Sequence, residues 1–182
     1  SICRVNQNYY LVHSTSAYFP AVPIFHSTDL VHWQQIGNVL DRTEQVNLLG
    51  AEHSGGIYAP TLRYHNGTYY VITTNVTHGG NFIVTATNPA GPWSKPYFLA
   101  GAAGIDPSLF FDDNGKCYYT GTRPRTEGSN YFGDNEIYLQ ELDLVNMKLI
   151  GPAFVLWHGA LNGVEWPEGP HLYKKDGYYY LM

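Results

Sequence analysis

Two acidic residues in this chain stand where they could act in acid catalysis. Asp106 lies in GIDPS, directly before a proline, and Glu168 lies in WPEGPHLY, two residues before another. Apolar and aromatic residues surround both, and burial or a nearby negative charge raises the pKa of a carboxyl group. A general acid needs such a raised pKa at neutral pH. Two acids near aromatic rings, on which sugar faces can stack, indicate glycoside hydrolysis.

Each acid taken alone has a plainer explanation. Asp106 could hydrogen-bond within its own turn, and Glu168 could simply face water. Their joint placement at the starts of repeated segments favours a shared role. The apolar and aromatic side chains that could contact a sugar beside them are Phe19, Tyr58, Ile105 and Trp166.

The segments that must position these acids belong to a pattern that occurs four times. Each copy has a small or polar residue, a short strand, a tight turn and a Tyr-rich strand, which predicts a β-hairpin. The copies are SICRVNQNYYLV from Ser1, TLRYHNGTYYVI from Thr61, SLFFDDNGKCYYT from Ser108 and HLYKKDGYYYLM from His171. Proline directly precedes three of them, and proline tolerates the start of a strand but not its middle.

A second hairpin pattern separates the copies. It occurs in IFHSTDLVHWQQIG (24–37), FIVTATNPAGPWSKP (82–96) and IYLQELDLVNMKLIGPA (137–153). Two hairpins make four strands, which is one propeller blade, and helical periodicity is absent. We therefore predict an all-β fold over residues 1–182: a partial β-propeller domain of about three blades plus the first hairpin of a fourth. A β-sandwich is the alternative.

The ends of the sequence match this repeat. The chain begins at the first residue of a copy and stops at YYYLM, within a predicted strand. Propellers close with about 4–8 blades. We therefore expect a catalytic domain truncated at both ends, and we expect residues 1–182 alone to be poorly soluble and inactive.

Composition excludes some partners. The net charge is −5 without a basic run, which argues against nucleic acid. No stretch approaches the roughly 18 apolar residues of a membrane span. Cys3 and Cys117 lie in different copies and are predicted to be buried free thiols. Localisation stays open between cytoplasmic and secreted.

The sequence resembles the catalytic domain of glycoside hydrolase family 43, whose fold is a five-bladed β-propeller. Five ordered blocks carry the resemblance: YFPAVPIFHSTDLVHW (18–33), SGGIYAPTLRYHNGTYYV (54–71), GNFIVTATNPAGPWSKP (80–96), GIDPSLFFDD (104–113) and WPEGPHLYKKDGYYYLM (166–182). The resemblance implies an inverting mechanism with three acids. Glu168 matches the general acid, and Asp106 matches the aspartate that tunes its pKa. The general base belongs to an Asp-Pro-Ser motif whose serine would be Ser1, so that Asp is expected upstream and is absent here.

Within the family, the pattern is most similar to β-xylosidases and α-L-arabinofuranosidases. The implied partner is a xylo- or arabinoxylo-oligosaccharide. Xylosidases of the family often carry an aromatic residue at the position of Ser16 and Trp at the position of Tyr58. The choice between xylose and arabinofuranose therefore stays open. The resemblance implies no required cofactor and allows a structural metal ion in the central channel, of unknown ligands.

Two other functions remain open. A non-catalytic carbohydrate-binding propeller would keep the aromatic residues but would not need both acids. A related five-bladed hydrolase acting on fructans would use a retaining mechanism with a different acid motif, and the EGPHLY block argues against it.

Overall fold

The computed structural model describes residues 1–182 and contains β-strands, turns and loops but no helix. Fourteen strands form three four-stranded sheets and one two-stranded sheet. The strands are β1 (Ile2–Val5), β2 (Asn8–Val12), β3 (Ala21–Ser27), β4 (Gln34–Leu40), β5 (Thr61–His65), β6 (Thr68–Asn75), β7 (Gly80–Ala86), β8 (Tyr97–Phe98), β9 (Ile105–Phe111), β10 (Cys117–Pro124), β11 (Asn135–Asp143), β12 (Lys148–Trp157), β13 (Leu172–Lys175) and β14 (Tyr178–Leu181). The chain thus has no helix that could cross a membrane.

Each four-stranded sheet is an antiparallel meander in which strands neighbour one another in chain order. The first hairpin of each sheet is the repeated segment seen in the sequence. In the second sheet, for example, Leu62 pairs with Val71 across a turn at Asn66–Gly67. Both turn residues have positive φ, 47° and 82°, as a tight two-residue hairpin requires. The all-β prediction and the four-strand unit are therefore confirmed.

The sheets are arranged around their first strands. β1 contacts β5, β5 contacts β9, and β9 contacts β13. One apolar core lies between the first and second sheets and includes Ile24, Leu62 and Phe82, while a second, with Leu109 and Tyr119, joins the second and third sheets. Sheets that pack face to face with adjoining first strands are consistent with neighbouring blades of a propeller.

The connecting segments that matter for function lie at one end of this arrangement. In a four-strand meander the first strand begins, and the fourth ends, at the same end of the sheet. We call it the loop end; it carries the segments 13–20, 41–60, 76–79, 99–104, 125–134 and 158–171. Isolated bridges from Ile57 to Ser16 and to Asn75 join the segments 13–20 and 41–60 to each other and to the end of β6. The Trp166 amide donates to the Gly133 carbonyl and so joins the segments 125–134 and 158–171.

A half-buried arginine links the first strands of three sheets. The Arg63 guanidinium, on β5, donates to the Leu109 carbonyl of β9 at 3.0 Å and to His171 Nδ1 before β13 at 2.8 Å. A further bond goes to the Leu62 carbonyl at 3.1 Å. Burial, and then the Arg63 charge, lowers the pKa of His171 to about 4. His171 is therefore neutral near pH 7 and can accept the hydrogen bond.

The two cysteines are free thiols, as predicted, but only one is fully buried. Cys117 is buried, and burial raises the pKa of its thiol to about 12. Cys3 is half-buried rather than buried. It lies on β1, an edge strand of the first sheet, and packs at the margin of the core between the first and second sheets.

Candidate functional site

Asp106 lies at the start of β9, in a backbone conformation that few residues adopt. Its φ is +52°, although it is not glycine and precedes Pro107. A residue before proline normally takes an extended conformation with negative φ. Strained conformations of this kind persist where the surrounding structure enforces them, and they cluster at functional sites.

Gly104 makes the approach to Asp106 possible. Its φ is +81°, and a Cβ atom there would collide with the Thr122 carbonyl oxygen on the neighbouring strand β10. Backbone cannot move aside as a flexible side chain can. Glycine is therefore required at this position for the segment before Asp106 to pack against β10.

Replacing Gly104 by alanine should lower the free energy of unfolding by more than the same replacement at a glycine that has a positive φ but no close neighbour. Gly115 is a matched control, because it has the same φ of +81° but a Cβ atom added there would meet no other atom within 4 Å. We expect Gly104→Ala to lower the free energy of unfolding by at least about 2 kcal/mol more than Gly115→Ala. Chemical denaturation of both variants measures the difference. Equal losses of stability would show that the collision with β10 adds nothing to the cost of the substitution.

Glu168 lies in the long connection between β12 and β13, and hydrogen bonds hold the main chain on both sides of it. The Pro167 carbonyl accepts from Thr122 Oγ1 at 2.7 Å. The Pro170 carbonyl accepts from Ser108 Oγ at 2.6 Å. Both donors belong to the third sheet, so the segment that carries Glu168 is attached to the sheet that carries Asp106.

The two carboxyl groups interact electrostatically. Burial raises the pKa of Asp106, and the Gly169 amide, which faces the carboxylate, partly offsets this effect. Partial desolvation raises the pKa of the more exposed Glu168, and the Asp106 charge raises it further. A carboxyl group that stays protonated beside a second, charged carboxylate can donate a proton at higher pH than a free side chain.

The four residues proposed to contact a sugar all lie at the loop end. Phe19 is exposed in the segment 13–20 and lines a groove with Thr43 and with residues 46–49. Tyr58 is half-buried, with its amide donating to the Thr74 carbonyl. Ile105 pairs with Thr122 beside Asp106.

Trp166 is the one closest in sequence to Glu168, and a second aromatic residue packs against it. It is 47% exposed and meets Phe132 edge to face at 5.0 Å between ring centroids. A Cβ atom at Gly133 would lie 3.0 Å from the indole nitrogen, so glycine leaves the space that the ring occupies. The segments 125–134 and 158–171 thus form one packed unit beside Glu168.

Glu168 also borders a groove of about 400 Å³, but the groove does not connect the two acids. Its other lining residues are Ile137, Trp157, Pro170, Leu181 and Met182. Ile137 and Trp157 belong to β11 and β12, Pro170 precedes β13, and Leu181 and Met182 lie at the end of β14. Asp106 is not part of this lining. We therefore do not assign the sugar site to this apolar groove.

No three or more His, Cys, Asp or Glu side chains in residues 1–182 are grouped so that they could hold a metal ion. The residues described here therefore do not form a metal site by themselves.

Comparison with known proteins identifies the family. The sequence model described as "Glycosyl hydrolases family 43" matches residues 1–182. The chain belongs to glycoside hydrolase family 43. It is 64% identical over 184 residues to a xylosidase/arabinosidase of Butyrivibrio fibrisolvens, covering 100% of this chain and 35% of that protein. A non-reducing end α-L-arabinofuranosidase of Bacteroides ovatus is 46% identical, with 100% and 33% covered.

Solved structures agree with this family assignment. The xylan β-1,4-xylosidase from Bacillus halodurans superposes with a TM-score of 0.89 at 44% identity, covering 100% of this chain and 35% of that one. A family 43 protein from a capybara gut metagenome gives a TM-score of 0.93 at 47% identity, again with 100% and 35% covered. The chain spans about a third of the length of the relatives it matches.

Sequence reasoning named both acids but missed the side chains that hold them. Ser108 and Thr122 have the sequence pattern of ordinary strand residues. The one signal was that Ser108 is the small or polar residue that begins a repeat. The Tyr119 hydroxyl is buried without a hydrogen-bond partner, and burial raises its pKa, with a smaller contribution from the Asp106 charge. Phe132 gave no signal, because it lies in a segment outside the repeats.

Proposed function

We propose that this chain is part of an inverting glycosidase that removes xylose, α-L-arabinofuranose or both from xylan-derived oligosaccharides. The observation that carries the proposal is the pair of Asp106 and Glu168 in a family 43 chain, with the pKa of Glu168 raised by partial desolvation and then by the Asp106 charge. The relatives named xylosidase, arabinosidase or arabinofuranosidase support this substrate class.

In this proposal Glu168 is the general acid and protonates the glycosidic oxygen as the bond breaks. Asp106 keeps Glu168 protonated near neutral pH. The general base, an Asp in an Asp-Pro-Ser motif whose serine is Ser1, lies outside residues 1–182. An inverting enzyme places base and acid about 6.5–9.5 Å apart, so that a water molecule fits between the base and the sugar.

The fold we propose for the catalytic domain is a five-bladed β-propeller. Each four-stranded sheet would be one blade, and the β13–β14 hairpin would be the first half of a fourth. In a propeller the first strands line a central channel, so the starts of β1, β5, β9 and β13 would surround one substrate pocket. This geometry would bring the base motif at Ser1 to the same pocket as Glu168.

Tyr58, Phe19, Ile105 and Trp166 would contact the sugar in this pocket. Tyr58 and Ser16 would determine the preference between xylose and arabinofuranose, since a change of this kind in a pocket alters selectivity by about 1–3 kcal/mol. The chemistry needs no cofactor. A structural metal ion in the channel of the full-length protein stays a prediction, with ligands outside the residues described here.

The stereochemistry of the product tests the proposed mechanism. We expect the full-length protein to release α-xylose first from a β-xyloside, because single displacement inverts the anomeric centre. Proton NMR during the first minutes of hydrolysis resolves the two anomers before they equilibrate. First release of β-xylose would contradict inversion, and binding of xylobiose without release of any sugar would favour a carbohydrate-binding propeller.

A further inference from the structure

Two buried hydroxyl groups fix the main chain around Glu168. Thr122 Oγ1 donates to the Pro167 carbonyl at 2.7 Å, and Ser108 Oγ donates to the Pro170 carbonyl at 2.6 Å. Thr122 is 0% exposed and Ser108 is 1% exposed. Water therefore cannot replace either bond without a rearrangement of the third sheet.

The anchored segment has little freedom left. Pro167 and Pro170 have a φ angle restricted by their rings. Only Glu168 and Gly169 lie between the two anchored residues, and the Gly169 amide faces the Asp106 carboxylate. The position of the Glu168 main chain is therefore set from the third sheet.

The Ser108 anchor is itself oriented by a neighbour. The Ser108 and Thr120 hydroxyls lie 2.6 Å apart. Because a carbonyl oxygen can only accept, Ser108 must donate to Pro170, and the Thr120 hydroxyl then donates to Ser108. This direction of donation leaves both hydroxyl groups of the strand pair satisfied, as buried polar groups require.

We propose that Thr122 and Ser108 are positioning residues for the general acid. They hold the segment Pro167–Pro170 so that the Glu168 carboxyl group lies beside Asp106 and faces the leaving oxygen of the substrate. Neither hydroxyl touches the substrate. The inference rests on the proposed function, because it presupposes that Glu168 donates the proton.

Loss of positioning should have a specific kinetic signature. A displacement of about 1 Å at a reacting group can cost about 10²-fold in rate. Protonation matters most when the leaving group is a poor one, such as a sugar hydroxyl, and matters little for dinitrophenolate. A misplaced acid should therefore slow hydrolysis of xylobiose and leave hydrolysis of a dinitrophenyl xyloside nearly unchanged.

The test uses the full-length protein and four variants. Thr122→Val removes the hydroxyl at nearly constant shape, Thr122→Ser keeps it, and Ser108→Ala removes the second anchor. Ser27→Ala is the matched control: this buried hydroxyl at the far end of β3 accepts from the Leu30 amide at 2.9 Å. Substrates are xylobiose and 2,4-dinitrophenyl β-xyloside.

We expect Thr122→Val and Ser108→Ala to lower kcat on xylobiose by about tenfold or more. KM and the rate on the dinitrophenyl substrate should change by less than about twofold. Thr122→Ser should retain most of the activity, and Ser27→Ala should alter neither substrate's rate. Thermal melting shows whether each variant folds. If Thr122→Val does not fold, the rates of Ser108→Ala and Thr122→Ser on the two substrates are compared instead.

Equal losses on both substrates, or a loss that appears in KM, would overturn the proposal in favour of a purely structural role. Unchanged kcat on xylobiose would overturn it as well. Glu168→Gln separates this inference from the function on which it rests. If Glu168→Gln discriminates between the substrates and Thr122→Val does not, positioning fails while the proposed function stands; if Glu168→Gln does not discriminate, the proposed function itself fails.

Discussion

In the full-length protein, Glu168→Gln should lower kcat/KM on xylobiose by about 10²–10⁴-fold, the usual contribution of a general acid. Glutamine has nearly the same shape but no acidic proton that it could transfer to the glycosidic oxygen. The loss on 2,4-dinitrophenyl β-xyloside should be less than about tenfold, because that leaving group departs without protonation. Initial rates on both substrates at a fixed pH measure the effect.

Glu165→Gln is the matched control for this experiment. Glu165 is exposed in the same connection, three residues before Glu168. The same change of charge and shape is made there, so a loss caused only by altered charge at the loop end would appear in both variants. A loss of less than tenfold on xylobiose for Glu168→Gln would remove Glu168 from the role of general acid.

Asp106→Asn should shift the alkaline limb of the pH–rate profile to lower pH. The negative charge of Asp106 raises the pKa of Glu168, in addition to the effect of desolvation. Without that charge the pKa of Glu168 falls, so Glu168 loses its proton at a lower pH. The enzyme then lacks a protonated general acid from that lower pH upward. Desolvation remains, so the pKa of Glu168 should fall only part of the way to the ordinary value of a glutamate.

The profile of kcat/KM against pH for a poor leaving group measures this shift. The two carboxyl groups titrate as a coupled pair, so the profile gives macroscopic values. Asp113→Asn is the control, because it removes a charge from the opposite end of the third sheet, where Asp113 pairs with Lys174 at 3.0 Å. If the alkaline limb of Asp106→Asn lies at the same pH as that of the unaltered protein, Asp106 does not tune the pKa of Glu168 and only helps to hold the sugar.

The sequence predicted the repeated unit well because its signals are local. Alternating apolar residues and turns such as Asn66–Gly67 determine each hairpin, and the structure confirms the four-strand meander. The equivalence of the segments around Asp106 and Glu168 also follows from the repeat. Placing both acids at the same end of adjoining sheets required no information beyond strand order.

The features that fix the acids were harder to predict, because they depend on contacts between distant parts of the chain. The bond from Ser108 to Pro170 spans 62 residues, and that from Thr122 to Pro167 spans 45. A buried serine or threonine on a strand gives no sign of which carbonyl it meets. The collision that requires Gly104 is likewise visible only when β10 is in place.

The hydrogen bonds of Arg63 have a consequence for the order in which the protein folds. Its acceptors Leu109 and His171 follow it by 46 and 108 residues. Until the segment after Pro170 has been made, the half-buried guanidinium lacks one of its acceptors, and a donor partly withdrawn from water and left without a partner costs free energy. When its own four strands have emerged from the ribosome, the second sheet therefore still lacks this hydrogen bond. We therefore expect the second sheet and the fourth hairpin to stabilise each other, so that neither folds independently of the other.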